Sequence, residues 1–280
     1  MYCLKFILQP TAAMTFRILP GSILNIATYP FVPPTTLSGF LRRLGMMSVK
    51  LEIPETRVNN QNPPIYALPP RYVALGAYPV IGKWSGVHQT YRKGTFSFNH
   101  DAFSSIYRDK KGEDDKKKKE DIQLHTWEYL IAEELIGYVV SESKEGLKHF
   151  QNLVGYGCKL GKEGFAVVKE VSELFELKRQ TIAAQPSTIV PMEDLLHGDF
   201  IGGCDIYNLY RYNWLTTTQA NSETEGFLDE TPTQVDGFVP FVTAYFSYSL
   251  EPPPTLNYYT NEEIYIPISL VNLLKGEVYV

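Results

Sequence analysis

Residues 29–44 of this chain read YPFVPPTTLSGFLRRL, and they decide how its N-terminal part folds. The apolar residues of this stretch recur at i, i+3, i+4 and i+7: Leu37, Phe40, Leu41 and Leu44. That spacing is typical of a helix with one buried face. Two prolines stiffen the chain before the helix, and Thr35 or Thr36 is expected to cap its first amides.

The surrounding sequence alternates between strand and helix patterns. Tyr2 to Gln9 predicts a strand with Tyr2, Leu4, Phe6 and Leu8 on one face, and Thr15 to Leu19 predicts a second, shorter strand. Two apolar stripes with helical spacing follow: Trp127, Leu130, Ile131, Leu135 and Tyr138, then Leu147, Phe150 and Val154. Gly155 is expected to end the second helix, and Phe165 to Val171 predicts a further strand.

This order of elements indicates an α+β protein built on a ferredoxin-like βαββαβ unit with insertions. We expect that unit to occupy residues 1–185. It includes a hairpin and a charged insertion near residues 84–125. Residues 186–280 contain several strand-like segments and are expected to form a β-rich C-terminal region.

Composition excludes several classes of protein. The chain has 280 residues, of which 44% are hydrophobic and 20% charged, as in globular proteins. It contains no apolar run of about 18 residues, so we expect no membrane span. Three widely spaced cysteines predict neither a metal cluster nor a disulfide framework. Together with the absence of a signal-like N-terminus, they favour the cytoplasm, and no cofactor is expected.

The net charge of −5 hides a strong asymmetry along the chain. Residues 1–100 contain ten Lys and Arg and two acids, a net charge of +8, whereas residues 101–280 contain sixteen bases and twenty-nine acids, a net charge of −13. A basic half favours a local site for a polyanion, although chance clustering on a surface gives the same pattern.

A glycine-rich segment, GYGCKLGKEG, spans residues 155–164 and is one candidate site. Its glycines permit positive φ and close approach to a ligand, and its two lysines and backbone amides favour an anion. The candidate residues are Gly155, Gly157, Lys159, Gly161, Lys162 and Gly164. The alternative is a connection between helix and strand that needs flexible corners. Arg42 and Arg43, on the polar side of the first helix, are further candidates for binding phosphate.

Trp84 to Phe98 predicts a hairpin with a basic tip around Arg92, Lys93 and Gly94. His88 and Tyr91 lie in the same stretch, so it offers aromatic and basic residues together, as recognition of single-stranded RNA requires. The same residue types could support RNA cleavage, with His or Lys handling protons and Tyr positioning the 2′-hydroxyl. A third interpretation is that the aromatic residues pack the hairpin. Residues 108–121 alternate in charge and predict a solvated insertion.

Taken together, these residues resemble the fifth Cas protein family of type I CRISPR systems, part of the RAMP superfamily. The N-terminal strand, YPFVPPTTLSGFLRRL and GYGCKLGKEG carry the resemblance, which covers residues 1–170. It implies an RRM-related fold in a subunit of the Cascade complex that binds the 5′ handle of the guide RNA (crRNA). Trp84 to Phe98 is the candidate for the family's thumb hairpin, although residues 99–125 could also belong to it.

The resemblance further implies contacts with the backbone RAMP subunit and the large subunit, and contact with target DNA only within the complex. Most of the family is non-catalytic. Because one type I branch matures the guide with this subunit, a metal-independent endoribonuclease stays an alternative. The sequence is also compatible with a related RAMP subunit of another effector type and with an unrelated soluble binding protein.

Overall fold

A computed structural model of the chain describes residues 1–18, 25–49, 67–94, 123–196, 204–214, 235–247 and 252–275. The strands in these ranges are β1 (Tyr2–Pro10), β2 (Asn25–Ile26), β3 (Val73–Pro79), β4 (Ser85–Gly94), β5 (Gln123–Ala132), β6 (Leu135–Ser141), β7 (Gly157–Lys159), β8 (Phe165–Val171), β9 (Phe175–Glu176), β10 (Lys178–Ala183), β11 (Val190–Pro191), β12 (Asp205–Trp214), β13 (Val235–Tyr245), β14 (Thr255–Thr260) and β15 (Tyr265–Pro267). The α-helices are α1 (Pro34–Ser48), α2 (Lys144–Lys148) and α3 (Ile268–Lys275), with 3-10 helices at His149–Leu153 and Met192–Leu195.

The predicted first helix is α1, and its four stripe residues are all buried. The predicted cap is wrong. Pro33 is the N-cap residue, no side chain caps the helix, and Thr35 and Thr36 lie inside it. Pro34 occupies the first turn, where its missing N–H removes one of the donors that a cap would otherwise satisfy.

The predicted N-terminal strand is β1, the centre of a six-stranded sheet with the order β3-β6-β1-β8-β7, where β9 also pairs with β1. The pairs β1–β6, β1–β8, β3–β6 and β7–β8 are antiparallel. Helix α1 packs closely on this sheet, because a Cβ added at Gly137 of β6 would lie 3.3 Å from Leu37. Leu4, Phe6 and Leu8 of β1 are fully buried in the same core.

The first of the two predicted later helices is wrong. Residues 127–138 form the end of β5 and the start of β6, separated by Glu133 and Glu134. Apolar residues at i, i+3 and i+4 also occur where two strands meet at a short corner, and this stretch is rich in β-branched and aromatic residues, which favour strands.

The second predicted helix exists but is short. Leu147 lies in α2 and Phe150 in the 3-10 helix at His149–Leu153, and both are buried. Val154, which follows the 3-10 helix, is half exposed. Gly155 follows with φ +84°, the left-handed conformation expected of a glycine after a helix. Phe165–Val171 is a strand, as predicted. In place of the predicted second strand, the described residues 15–18 form isolated bridges, Thr15 with Lys162 and Arg17 with Thr28.

The C-terminal residues form two further sheets in the described part of the chain, β11-β13-β12 and β10-β14-β15. The first packs on the quoted stretch through an aromatic cluster: Tyr29, Phe31, Tyr78, Tyr207 and Tyr245, with neighbouring ring centres 4.8–5.9 Å apart. The hydroxyl of Tyr29 donates to the Asn208 carbonyl, and that of Tyr212 donates to the Thr35 carbonyl at 3.1 Å. One hydrophobic core therefore includes residues from both predicted regions. Among the described residues, no helix combines the length and apolar character needed to cross a membrane.

Candidate nucleic-acid interface

Strands β4 and β5 form an arm that extends from the central sheet. The antiparallel pair β3–β6 ends at Pro79 and Leu135, and pairing resumes between Ser85 and Ala132. The chain bends between the two pairs, where Val80 N–H donates to the Glu134 carbonyl at 3.2 Å and Glu133 N–H donates to the Trp84 carbonyl at 2.9 Å. The arm is thus a continuation of two sheet strands, anchored at its base by backbone hydrogen bonds.

The predicted hairpin of residues 84–98 is wrong in its extent. Residues 85–94 are one continuous strand, and Arg92, Lys93 and Gly94 pair with residues 125, 124 and 123 instead of forming a tip. The second strand of the hairpin is β5, so residues 123–125 belong to the hairpin. They fall within residues 99–125, which the sequence left as a possible part of it. The sequence pattern did not reveal the second strand of this hairpin, because residues 95–122 separate β4 from β5 along the chain. Residues 95–122, including the charged insertion, lie outside the described residues.

Strand alternation separates the candidate side chains of β4. His88 pairs with Tyr129 and Thr90 with Trp127, so these four lie on one face of the arm. Tyr91 pairs with Thr126 on the other face, where its side chain is 71% exposed. His88 is exposed as well. Therefore His88 and Tyr91 do not converge on one point of the arm.

The arm packs on the N-terminal segment through β5. Met14 and Leu130 exchange two backbone hydrogen bonds at 3.0 and 2.7 Å, and the Thr15 hydroxyl donates to the Glu128 carbonyl at 2.9 Å. Strand β2 pairs with β5 in parallel and brings Ile26 against Trp127. In the three-stranded sheet β2-β5-β4, β4 is an edge strand, and its described side chains are largely exposed.

The glycine-rich segment lies against the same face of the arm as Trp127. Backbone hydrogen bonds of 2.9 and 3.2 Å join Lys162 to Thr15, and the Lys162 ammonium lies 4.2 Å from the centre of the Trp127 ring. The next residue, Glu163, accepts a hydrogen bond from the Tyr129 hydroxyl at 3.3 Å. The structure therefore brings the glycine-rich segment and the arm together at Lys162, and both Lys162 and Lys159 are exposed.

Internal packing explains most of the glycines in this segment. A Cβ added at Gly161, where φ is +71°, would lie 2.6 Å from the Phe16 ring, and one at Gly164 would lie 2.4 Å from Met14. Gly157 has similarly little space, being 2.8 Å from a backbone carbonyl. These glycines thus allow close approach to the chain's own residues, which accords with the connector interpretation and leaves ligand contact to the lysines and the outer surface.

The two candidate arginines, Arg42 and Arg43, belong to α1. Arg42 and Arg43 are half-buried rather than fully exposed. Burial raises the pKa of the Cys158 thiol to about 11, and the nearby Arg43 guanidinium offsets part of that rise. Arg43 therefore lies close to β7. Arg43 is thus near Cys158 of the glycine-rich segment, and that segment contacts the arm through Lys162.

Comparisons with known proteins give a limited result. No protein-family profile matches the chain, and no curated protein sequence matches it significantly. A chain in the cryo-EM structure of the Type III-B Cmr-beta bound to cognate target RNA and AMPPnP, state 1, is similar, with 12% identity and a TM-score of 0.38 over 98% of this chain and 90% of that one. A second, from the Type III-B Cmr-beta bound to cognate target RNA, has 11% identity and a TM-score of 0.37 over 100% and 90%.

Sequence reasoning missed Trp127 and Tyr129, whose rings stack with their centres 6.4 Å apart. Trp127 lies beneath Lys162, and Tyr129 donates to Glu163. The alternation of residues 125–131 was the available signal, but the helical spacing obscured it. Within the described ranges, no group of three His, Cys, Asp or Glu side chains could hold a metal ion.

Proposed function

We propose that this chain is a guide-RNA-binding subunit of a CRISPR effector complex, of the RAMP type. Following the sequence resemblance, its position is at the 5′ handle of the guide in a type I Cascade complex. The surface formed by the arm, the glycine-rich segment and Arg43 holds the RNA. The chain acts in this proposal as a binding scaffold, without catalysis of its own.

The strand order supports a ferredoxin-like assignment. Along the chain, β1, α1, β3, β6, α2 and β8 follow a βαββαβ order, and their sheet order β3-β6-β1-β8 is antiparallel throughout. Numbered within the unit, that order is 2-3-1-4. The arm arises between the second and third strands of the unit, where a hairpin extends the sheet without disturbing it.

The contact between Lys162 and Trp127 is the observation that carries the proposal. It joins the glycine-rich segment to the arm, two segments far apart in sequence that both offer residue types suited to RNA binding. Exposed basic groups and exposed aromatic rings give single-stranded RNA a charge partner for phosphate and a platform for a base. On the arm, Tyr91 is such an exposed ring, whereas the buried Trp127 supports Lys162 from below. Lys162 is exposed at this contact, and Lys159 is exposed in the same glycine-rich segment. His88 is exposed on the face of the arm that carries Trp127, and Tyr91 is exposed on the opposite face.

The charge distribution agrees with this position. The net charge of +8 in residues 1–100 belongs to the part of the chain that supplies β1, α1, β3 and β4. An RNA handle requires a locally positive surface even when the whole protein is acidic.

Binding of repeat RNA tests the proposal. The purified chain, titrated with labelled repeat RNA, is expected to bind the handle sequence more tightly than a shuffled RNA of equal length. Lys159→Ala together with Lys162→Ala should weaken that binding, while Lys148→Ala, a lysine already paired with Glu145 at 2.7 Å, should not. Equal affinity of wild type and the double variant would contradict the assignment of this surface.

Incubation with repeat RNA in the absence of metal separates scaffold from ribonuclease. The scaffold proposal expects intact RNA, since His88 and Tyr91 lie on opposite faces of β4. Specific cleavage that is lost in His88→Ala or Tyr91→Phe would replace it with the endoribonuclease alternative. The target bound by the assembled complex distinguishes effector types, because the type I proposal expects target DNA, whereas the two Type III-B Cmr-beta structures are bound to target RNA.

A further inference from the structure

Glu163 is the only acid of the glycine-rich segment, and its backbone lies in the left-handed region with φ +66°. A residue with a side chain is uncommon in that region, where glycine has the lowest cost. The surrounding turn imposes the conformation, because Leu160 N–H donates to the Gly164 carbonyl at 3.1 Å and Lys162 exchanges two backbone hydrogen bonds with Thr15. The turn therefore explains the backbone of residue 163 and leaves the choice of a carboxylate unexplained.

The arm holds this carboxylate in place. Glu163 is exposed, and its Oε2 accepts a hydrogen bond at 3.3 Å from the hydroxyl of Tyr129, a side chain that is only 6% exposed. The Tyr129 ring stacks on Trp127, the ring that lies beneath Lys162. A buried phenol thus positions an exposed carboxylate beside an exposed lysine. A polar group that is held by buried neighbours is preorganised for recognition.

The two neighbouring charges sort the parts of a nucleotide. Phosphate is attracted by Lys162 and repelled by Glu163, so an RNA strand on this surface places its backbone at the lysine and a base at the carboxylate. An ionised carboxylate accepts hydrogen bonds and donates none, and its two oxygens offer about four lone-pair sites. The bond from Tyr129 and two further donors together use three of these sites.

The hydrogen-bonding edges of the four RNA bases differ in how well they fit such an acceptor. Guanine presents two adjacent donors on its Watson–Crick edge, N1–H and the N2 amino group, and this edge is accessible in a single strand. Adenine and cytosine place a ring-nitrogen acceptor beside their amino group, and uracil places its N3–H between two carbonyls. A carboxylate repels those acceptors, so guanine is the base that matches it.

We infer that Glu163 reads a guanine base of the bound RNA, accepting hydrogen bonds from its N1–H and N2 amino group while Lys162 meets the adjoining phosphate. The inference rests on the proposed function, because it specifies which base the RNA-binding surface selects. Tyr129 is a positioning residue in this arrangement, since it holds the carboxylate without touching the base.

Anisotropy titrations with labelled octanucleotides test the inference. The probes are oligouridylates that carry one guanosine, inosine or adenosine at the centre. Wild type is expected to bind the guanosine probe about ten-fold more tightly than the adenosine probe, as for other two-bond base contacts, with inosine between them because it lacks the N2 amino group. Glu163→Gln should abolish this preference, because an amide replaces one acceptor by a donor while its oxygen still accepts from Tyr129. Tyr129→Phe should reduce it.

Glu262 provides the matched control. It is also an exposed glutamate with a left-handed backbone, φ +76°, and it lies in the turn between β14 and β15. Glycine relieves the same backbone strain at both positions, so Glu163→Gly and Glu262→Gly should both keep or raise the wild-type melting temperature. The preference for guanosine should be lost in Glu163→Gly and unchanged in Glu262→Gly.

The outcomes separate this inference from the proposed function. Equal affinity of wild type for the guanosine and adenosine probes overturns the inference alone, and so does a preference for guanosine that survives in Glu163→Gln. A wild type that binds neither the octanucleotides nor repeat RNA overturns the proposed function, and the inference with it. Displacement of the guanosine probe by guanosine monophosphate at the same concentration would assign the site to a free nucleotide and overturn RNA as its ligand.

Discussion

The Lys162 ammonium lies over the Trp127 ring, 4.2 Å from its centre, and so connects the glycine-rich segment to the arm. Trp127 is 8% exposed, so its ring is largely covered while the lysine above it stays exposed. A cation held over an indole keeps a defined position, because the negative face of the ring attracts it. The lysine is thus positioned before any RNA binds.

A double-mutant cycle measures this contact. Lys162→Met removes the charge and keeps an apolar stem, and Trp127→Leu removes the aromatic face. We expect a coupling free energy of about 0.5–1 kcal/mol in urea unfolding, the usual value for an exposed cation–π pair. The cycle Lys159→Met with Trp127→Leu is the control and should show none. Coupling near zero in both cycles would mean that the lysine is not held by the ring.

Salt dependence tests whether the two lysines meet phosphates. Each phosphate neutralised on a single strand contributes about −0.7 to the slope of log affinity against log salt concentration. Lys159→Ala with Lys162→Ala should therefore make the slope shallower by about 1.4, measured by anisotropy between low and physiological salt. If affinity falls while the slope is unchanged, the lysines support the turn without touching the RNA backbone.

The fold around YPFVPPTTLSGFLRRL was predictable because local pattern and burial agree there. The spacing of Leu37, Phe40, Leu41 and Leu44 has one interpretation when prolines precede it, and β1 has clean alternation. By contrast, residues 127–138 have apolar side chains on both faces of β5 and β6, so periodicity could not distinguish strand from helix. The outcome depends on pairing with strands distant in sequence, β1 and β3 for β6, and β2 and β4 for β5.

The candidate site was predictable in its parts and not in its assembly. Lys162 and the β4 residues were identified by residue type alone. Their proximity depends on the bridge between Thr15 and Lys162 and on the pairing of β5 with β2, which are contacts between distant segments. Trp127 was missed because a residue that supports a neighbouring lysine carries no motif of its own.

The glycine-rich segment should tolerate no side chain at Gly164. An added Cβ would lie 2.3 Å from the Leu160 carbonyl and 2.4 Å from Met14, so backbone must move. We expect Gly164→Ala to lower the free energy of unfolding by about 2 kcal/mol or more, as overpacking does. Chemical denaturation followed by circular dichroism measures the change.

Gly86→Ala is the matched control for that substitution. Gly86 lies on the exposed edge strand β4, has no heavy atom within 4 Å of an added Cβ and has no positive φ. Its replacement should be neutral or stabilising by a few tenths of a kcal/mol, since alanine restricts the unfolded chain. Equal effects at the two positions would contradict the packing account of the glycine-rich segment.

The buried hydroxyl of Tyr78 ties the central sheet to the C-terminal residues. It donates to the Leu75 carbonyl at 2.6 Å and accepts from Ile189 N–H at 3.2 Å, and burial raises the pKa of the phenol so that it stays protonated. Tyr78→Phe leaves both backbone groups without this partner, so we expect a loss of about 1–3 kcal/mol in the free energy of unfolding. Tyr91→Phe, at an exposed ring, should change it by less than about 0.5 kcal/mol. If Tyr78→Phe is also neutral, Ile189 is not held by this bond. If instead Tyr78→Phe speeds amide hydrogen exchange in residues 186–275 alone, the two predicted regions unfold separately although they share one core.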